Sequence, residues 1–264
     1  MTSLRQALLL GDGGVISLVG AGGKTSLMFR LAHELSMIGD TVLTTTTTKI
    51  YEPESGQSSR VLVSNSVTEL LDAASGMIDE YRHITMARQR LSDQGKLVGF
   101  APQAIDALWK SRLFRWIIVE ADGAAGRALK APADHEPVVP ESTSVVVGLA
   151  GLSGVGQSLT GQWVFRSDRF AELAGIGQNT KISESAVANV FIDINGIFKS
   201  TSEKATRLVF LNQADIPETR EAGRRIAKLL TEDKTVGIRR VIVGRLRADS
   251  PVWNIFDPLE ANHR

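Results

Sequence analysis

"LVGAGGKTSLMF", Leu18 to Phe29, changes character twice: an apolar run breaks into glycines, meets Lys24 and Thr25, and turns apolar again at helical spacing. The unbroken apolar run of Val15 to Val19 before the glycines reads as a buried β-strand. Behind them a helix from Thr25 to about Ile38 is closed by Gly39, and a second strand, "TVLTTTTT", begins two residues later. Strand, loop, helix and strand in this order make a βαβ unit with parallel strands and a right-handed crossover, and ligands sit at the carboxyl ends of such strands. The threonine strand is expected beside the first.

The alternation continues along the chain. "RVLVSN", "HITMA", "RWIIVEADG", "SVVVGLAGL", "RLVFLNQAD" and a closing "IRRVIVG" read as strands. "VTELLDAA" behind a Ser66–Glu69 capping box, "PQAIDALWKSRL" with Pro102 in its first turn, "DRFAELAG" and Pro217 to Leu230 read as helices. The pattern predicts an α/β fold, a three-layer sandwich with a mostly parallel sheet. A single domain over residues 1–264 is expected, with a mostly helical insertion at about 152–202, where strand signals thin out.

Composition narrows the partners. The 264 residues are 43% hydrophobic and 22% charged, with 30 basic against 29 acidic residues, so no global field favours nucleic acid or acidic lipid. The absence of cysteine excludes disulfides, thiolate metal sites and a cysteine nucleophile, and agrees with a reducing cytoplasm. "MTSLRQALLLGDGG" does not read as a signal peptide, and no apolar run reaches the length of a membrane span. A cytoplasmic protein without nucleic-acid or membrane partners is expected.

A Walker A loop, G-x-x-x-x-G-K-[ST], cradles phosphate with backbone N–H groups, reaches it with lysine and holds Mg²⁺ through its hydroxyl. Gly23-Lys24-Thr25 fit the end of that pattern, while Leu18 stands at the first glycine position. Gly20, Gly22 and Gly23 still permit an anion nest, and the helix from Thr25 aims its N-terminus at the anion. A structural glycine turn with a surface lysine would use the same residues. The shortened loop resembles the G-T-x-G-K-[ST] loop of the Mur ligase class of P-loop enzymes.

Such a loop needs an acid at the end of a neighbouring buried strand. Glu120, after apolar Ile117 to Val119, is assigned to the metal or an attacking water, and Asp122 to the same side two residues on. Asn212 to Asp215, "NQAD", resembles the N-K-x-D element that reads guanine, with Gln213 in place of lysine; turn chemistry after a strand is the alternative. The run "TTTTTKIYEPE" is either a β-branched structural strand or places Thr47, Thr48 and Lys49 beside the γ-phosphate or a second substrate. The loop from Glu120 to Pro140 has no strand or helix period and is expected to present charges over the nucleotide. Arg127 or Lys130 would neutralise a transferring phosphate there, and His135 or Glu136 would serve as a base.

Taken in order, "GAGGKTS", "TTTTTKI", "VEADGAAGRALKAPADHEPVVP", "VFRSDRFAEL" and "LNQAD" resemble the YqeC family of selenium-dependent molybdenum hydroxylase accessory proteins. The likeness runs over about residues 13 to 245. It implies a P-loop nucleotide binder, and a molybdenum hydroxylase or cofactor-maturation partner. The reading is therefore a P-loop NTPase-like α/β protein that binds ATP or GTP with Mg²⁺. Nucleotide falls to Gly20, Ala21, Gly22, Gly23, Lys24, Thr25, Ser26, Asn212 and Asp215, metal to Thr25, Glu120 and Asp122, and catalysis to Lys24, Glu120 and Lys130. An accessory NTP hydrolase is expected first; a small-molecule kinase or ATP-dependent ligase, or a nucleotide-sensing module without turnover, are the alternatives.

Overall fold

The computed structural model describes residues 2–258. A short helix, α1 (Leu4–Ala7), precedes β1 (Gly14–Gly20), whose residues are all buried, and the glycine loop leads into α2 (Lys24–Met37). Then follow β2 (Val42–Thr46), β3 (Lys49–Tyr51), β4 (Arg60–Val63), α3 (Val67–Ser75), β5 (His83–Ala87), β6 (Gln89–Leu91), β7 (Lys96–Val98), α4 (Pro102–Lys110) and β8 (Trp116–Glu120). The second half contains β9 (Leu129–Lys130), β10 (Thr143–Gly151), β11 (Val164–Phe165), α5 (Ser167–Ala174), α6 (Glu184–Ile192), β12 (Thr206–Asn212), α7 (Pro217–Glu232), β13 (Ile238–Gly244) and β14 (Val252–Phe256).

Nine strands form one sheet in the order β14-β13-β12-β10-β1-β8-β2-β5-β4. All neighbours are parallel except β13 and β14. The parallel strands read as unbroken apolar runs because helices cover both faces. Ile16 and Leu18 of β1 pack with Leu27, Leu31 and Leu35 of α2 on one face. On the other, Val15 joins Leu70 of α3 and Ile105 of α4, while Val19 joins Phe170 of α5, Val187 of α6 and Ile226 of α7. The three-layer α/β architecture is thus the expected one, with β1 at its centre.

Two features depart from the sequence reading. β2 does not lie beside β1: β8 pairs with both, and so carries Glu120 directly next to the glycine loop. A crossover helix about 10 Å wide covers two strand spacings of about 4.8 Å, which leaves room for a strand supplied later in the chain. β13 is not the closing strand either, because β14 follows it as a half-exposed antiparallel edge.

The segment at 152–202 contains α5 and α6, but turns and irregular chain make up most of it, and its apolar side chains share one cluster with β10, β12, β13 and α7. Of the Ser66–Glu69 capping box only half is present: Ser66 Oγ accepts from the Glu69 amide, while the Glu69 carboxylate accepts from Ser64 Oγ. A separate small sheet, β3-β7-β6, stands beyond the ends of β2 and β5. Among the described residues no helix is long and apolar enough to cross a membrane.

Candidate functional site

The site opens at the carboxyl ends of β1, β8, β10 and β12. Gly20 (φ +93°) and Gly22 (φ +79°) both occupy the left-handed region. A side chain on Gly20 would collide with the Leu149 carbonyl, and one on Gly22 with the backbone of Gly151, so the glycines are required by conformation and by space together.

Accounting for the loop's amides separates two roles. Gly20 N donates to Asp122 Oδ2 (2.9 Å), Ala21 N to Leu149 O (2.9 Å) and Gly22 N to Arg127 O (3.1 Å), which fixes the loop to its neighbours. Among the described residues nothing accepts from the amides of Gly23, Lys24, Thr25 and Ser26, and no side chain caps α2. Free donors at the positive end of a helix dipole make an anion seat. Asn212 secures it: Nδ2 donates to Gly22 O (2.7 Å) and Oδ1 accepts from Leu246 N (2.9 Å).

Lys24 lies along this loop, its Nζ donating to Gly20 O (2.5 Å) and standing 3.1 Å from Asp122 Oδ1 and 3.9 Å from Glu120 Oε1. Burial works to strip its proton, but the carboxylates of Asp122 and Glu120 outweigh burial and hold the ammonium above its usual range. Glu120 is pushed above the usual carboxylate range by burial, against the pull of Lys24 and of Thr25. Thr25 Oγ1 donates to Glu120 Oε2 at 2.8 Å, so the predicted metal pair is brought together.

A Mg²⁺ ion fits this donor set: a hydroxyl and a carboxylate side by side, with the buried Asp122 Oδ1 nearby, facing the Lys24 ammonium at 3.1 Å. No group of three or more Asp, Glu, His or Cys able to hold a metal exists among the described residues. The remaining positions would therefore fall to phosphate and water, as Mg²⁺ prefers.

Lys130 is not placed to meet phosphate directly. All its donors are used, on Asp122 Oδ2 (2.9 Å), Gly123 O (2.6 Å) and Glu136 Oε2 (2.7 Å), and the side chain is fully buried. Nor is Glu136 suited as a base. Burial tends to raise its carboxyl, but Arg166 and Lys130 overcome this and pull it down to about 2. The 120–140 segment thus turns Lys130 and Glu136 inward along with Glu120 and Asp122, while Arg127, Asp134 and His135 are exposed.

The threonine run is structural over most of its length. Thr44 Oγ1 bonds His83 Nε2 and Thr85, and Thr45, Thr46 and Thr47 donate to the carbonyls of Met86, Glu120 and Val138. Lys49 and Asp215 are exposed. Gln213 adopts φ +69° and accepts from Ser153 Oγ at 2.6 Å.

Two residues carry roles that the sequence reading did not assign. Arg166 bonds both oxygens of Glu136 (2.7 and 3.2 Å). Arg30, on the helix that leaves the loop, donates to the carbonyls of Leu246, Ala248 and Asp249. Arg166 sits inside the "VFRSDRFAEL" stretch, whereas Arg30 has no signal beyond a charge on a helix.

A central parallel strand that passes through a glycine loop and Gly-Lys-Thr into a helix, with a buried acid on the adjacent strand, defines a P-loop α/β protein. Residues 16–168 match the family described as YqeC protein. A protein of Escherichia coli (strain K12) named "Uncharacterized protein YqeC" is 36% identical over 200 residues, 75% of each chain. The chain belongs to the YqeC family. Among solved structures it is similar to the signal recognition particle 54 kDa protein of Aeropyrum pernix K1 in complex with GDP, with TM-score 0.41 and 16% identity over 96% of this chain and 46% of that one. It is also similar to chloroplast FtsY of Physcomitrella patens, with TM-score 0.32 and 15% identity over 93% of this chain and 54% of that one. The chain spans about half the length of each of these two structures.

Proposed function

We propose that this protein binds ATP or GTP with Mg²⁺ and hydrolyses it as an accessory factor in the maturation of selenium-dependent molybdenum hydroxylases. The observation that carries the nucleotide reading is the set of free amides from Gly23 to Ser26 beside Lys24. In this reading Gly20, Ala21, Gly22 and Gly23 shape the phosphate seat, the Gly23–Ser26 amides and Lys24 bind the β and γ oxygens, Asn212 braces the seat through Gly22, and Asp215 lies toward the nucleoside. Thr25 and Glu120 hold Mg²⁺, with Asp122 next to them. Bound there, the ion neutralises charge developing on the phosphoryl oxygens. Glu120 keeps the attacking water in place, and Lys24 steadies the terminal phosphoryl group. The role in hydroxylase maturation is supported by membership of the YqeC family.

Thermal-shift measurements with ATP, GTP and CTP, each with and without Mg²⁺, test the first part. A ligand bound only by the folded state raises the midpoint by mass action. The expected result is a Mg²⁺-dependent rise for one triphosphate that disappears in Lys24→Ala. A rise that persists in the variant, or none with any triphosphate, overturns the reading. For the maturation role, molybdenum hydroxylase activity is compared in cells carrying the wild-type chain or Lys24→Ala; equal activity refutes it.

A further inference from the structure

Phosphate and metal binding leave three charged side chains, Lys130, Glu136 and Arg166, without an assigned purpose, and all three connect to Asp122. Asp122, Lys130, Glu136 and Arg166 form a continuous line from Lys24 to the start of α5. Asp122 Oδ1 is 3.1 Å from Lys24 Nζ and Oδ2 is 2.9 Å from Lys130 Nζ; Lys130 Nζ is 2.7 Å from Glu136 Oε2, which is 2.7 Å from Arg166 Nη1. Asp122 therefore lies between two ammonium groups. These residues also account for the longest motif in the chain, because three of them come from "VEADGAAGRALKAPADHEPVVP" and the fourth from "VFRSDRFAEL".

Lys24 Nζ is engaged by Gly20 O and Asp122 Oδ1, while the amides of the helix start are free. To bind a phosphate seated on those amides it must leave Asp122. A buried carboxylate stripped of its only cation is strongly unfavourable, and that penalty would hold Lys24 where it is. Here the penalty does not arise. Lys130 and the Gly20 amide both remain on Asp122 Oδ2, and the bidentate Arg166 keeps Glu136 compensated in turn. Resting on the phosphate-binding reading above, we infer that Lys130, seated by Glu136 and Arg166, is a positioning residue that frees Lys24 for phosphate by keeping Asp122 neutralised.

The test is calorimetric titration with inorganic tripolyphosphate, with and without Mg²⁺, so that loss of a metal contact is separated from loss of Lys24. Lys130→Met leaves Asp122 with Lys24 and Glu136 with Arg166, and is expected to weaken binding about tenfold or more in both titrations, a coupling of ordinary size. Adding Asp122→Asn removes the anion that traps Lys24, so Lys130→Met/Asp122→Asn is expected to regain most of the Mg²⁺-free affinity. A merely structural lesion would not be repaired by a second one.

Lys130→Met within about twofold of wild type, or a double variant no tighter than the single, overturns the inference. Should circular dichroism show Lys130→Met unfolded, Arg166→Gln carries the decision. It draws Lys130 toward Glu136 and is expected to weaken binding about threefold, and unchanged affinity refutes the proposal. If the wild type fails to bind tripolyphosphate, ATP and GTP alike, the phosphate reading itself is wrong; if it binds and the variants bind equally, only the role of Lys130 falls.

Discussion

Thr25 Oγ1 donates a 2.8 Å hydrogen bond to Glu120 Oε2, tying the first turn of α2 to the end of β8. The bond exists because β8 is inserted between β1 and β2 in the sheet. It gathers two oxygen ligands at the mouth of the phosphate loop. Glu120 is held above the usual carboxylate range by burial, so a cation that binds it must displace a proton over part of the acid range. The Mg²⁺-dependent part of triphosphate affinity is therefore expected to weaken as pH falls and the Glu120 carboxyl takes up its proton. Glu120→Gln should abolish both the Mg²⁺ effect and its pH slope; a slope that survives the substitution would place the metal elsewhere.

Lys24→Ala removes the only loop side chain able to give a positive charge to phosphate, and is expected to cost about 3 kcal/mol of triphosphate binding, roughly a hundredfold. The fold should tolerate it, since Asp122 keeps Lys130 and the Gly20 amide. Calorimetry read beside the thermal midpoint checks both halves. Equal losses of binding and of stability would mean that Lys24 is a structural cation and not a ligand.

Much of this site was legible in the sequence for local reasons. An apolar run, glycines with positive φ and Gly-Lys-Thr are adjacent in the chain, and so are Ile117–Val119 and the acid they deliver. The less legible parts depend on contacts between distant segments. Nothing within "TVLTTTTT" states that β8 will intervene, and the three-residue strands β3, β6 and β7 are too short to show a period. The direction of Lys130 was lost for a related reason. A lysine in a glycine-rich loop reads as exposed until its two carboxylate partners, Asp122 and Glu136, are placed on either side of it.

The acid stability of the fold should carry the signature of Glu136. Its carboxyl titrates at about 2 in the folded chain against an ordinary 4.5, so the stabilisation is fully present above about 4.5 and is lost as pH falls toward 2. The shift corresponds to at most about 3 kcal/mol. Urea unfolding across that window should show a steep loss in wild type and a flatter one in Glu136→Gln, at a lower starting stability. Parallel curves would show that Glu136 is not the group responsible.

His83 acts in a higher window. It is buried on β5 with Nε2 against Thr44 Oγ1, and burial first, then the charge of His33, lowers its pKa from 6.5 to about 4. The unfolded chain takes up a proton near 6.5 that the folded chain refuses until about 4, so stability falls as pH drops between those values. His83→Gln should flatten the slope in that interval while leaving the Glu136 window in place. An unaltered slope above 4.5 would assign it to another group.

Asn212 offers a test of how far phosphate binding depends on support from beneath the loop. Both ends of its amide are used, on Gly22 O and Leu246 N, so the side chain is a brace between β12, the P-loop and the turn that Arg30 also holds. Asn212→Leu keeps the volume but leaves a carbonyl and an amide without partners, at a cost of about 2 kcal/mol in stability. Gly23 packs directly on this amide, so the loop should also lose its fixed shape and bind triphosphate about tenfold more weakly. Asn212→Asp separates the two effects. It retains an acceptor for Leu246 N but sets an anion against Gly22 O, and should weaken triphosphate binding more than it lowers the thermal midpoint. If Asn212→Asp binds as tightly as wild type, the brace serves folding alone and the loop holds its phosphate-binding shape without it.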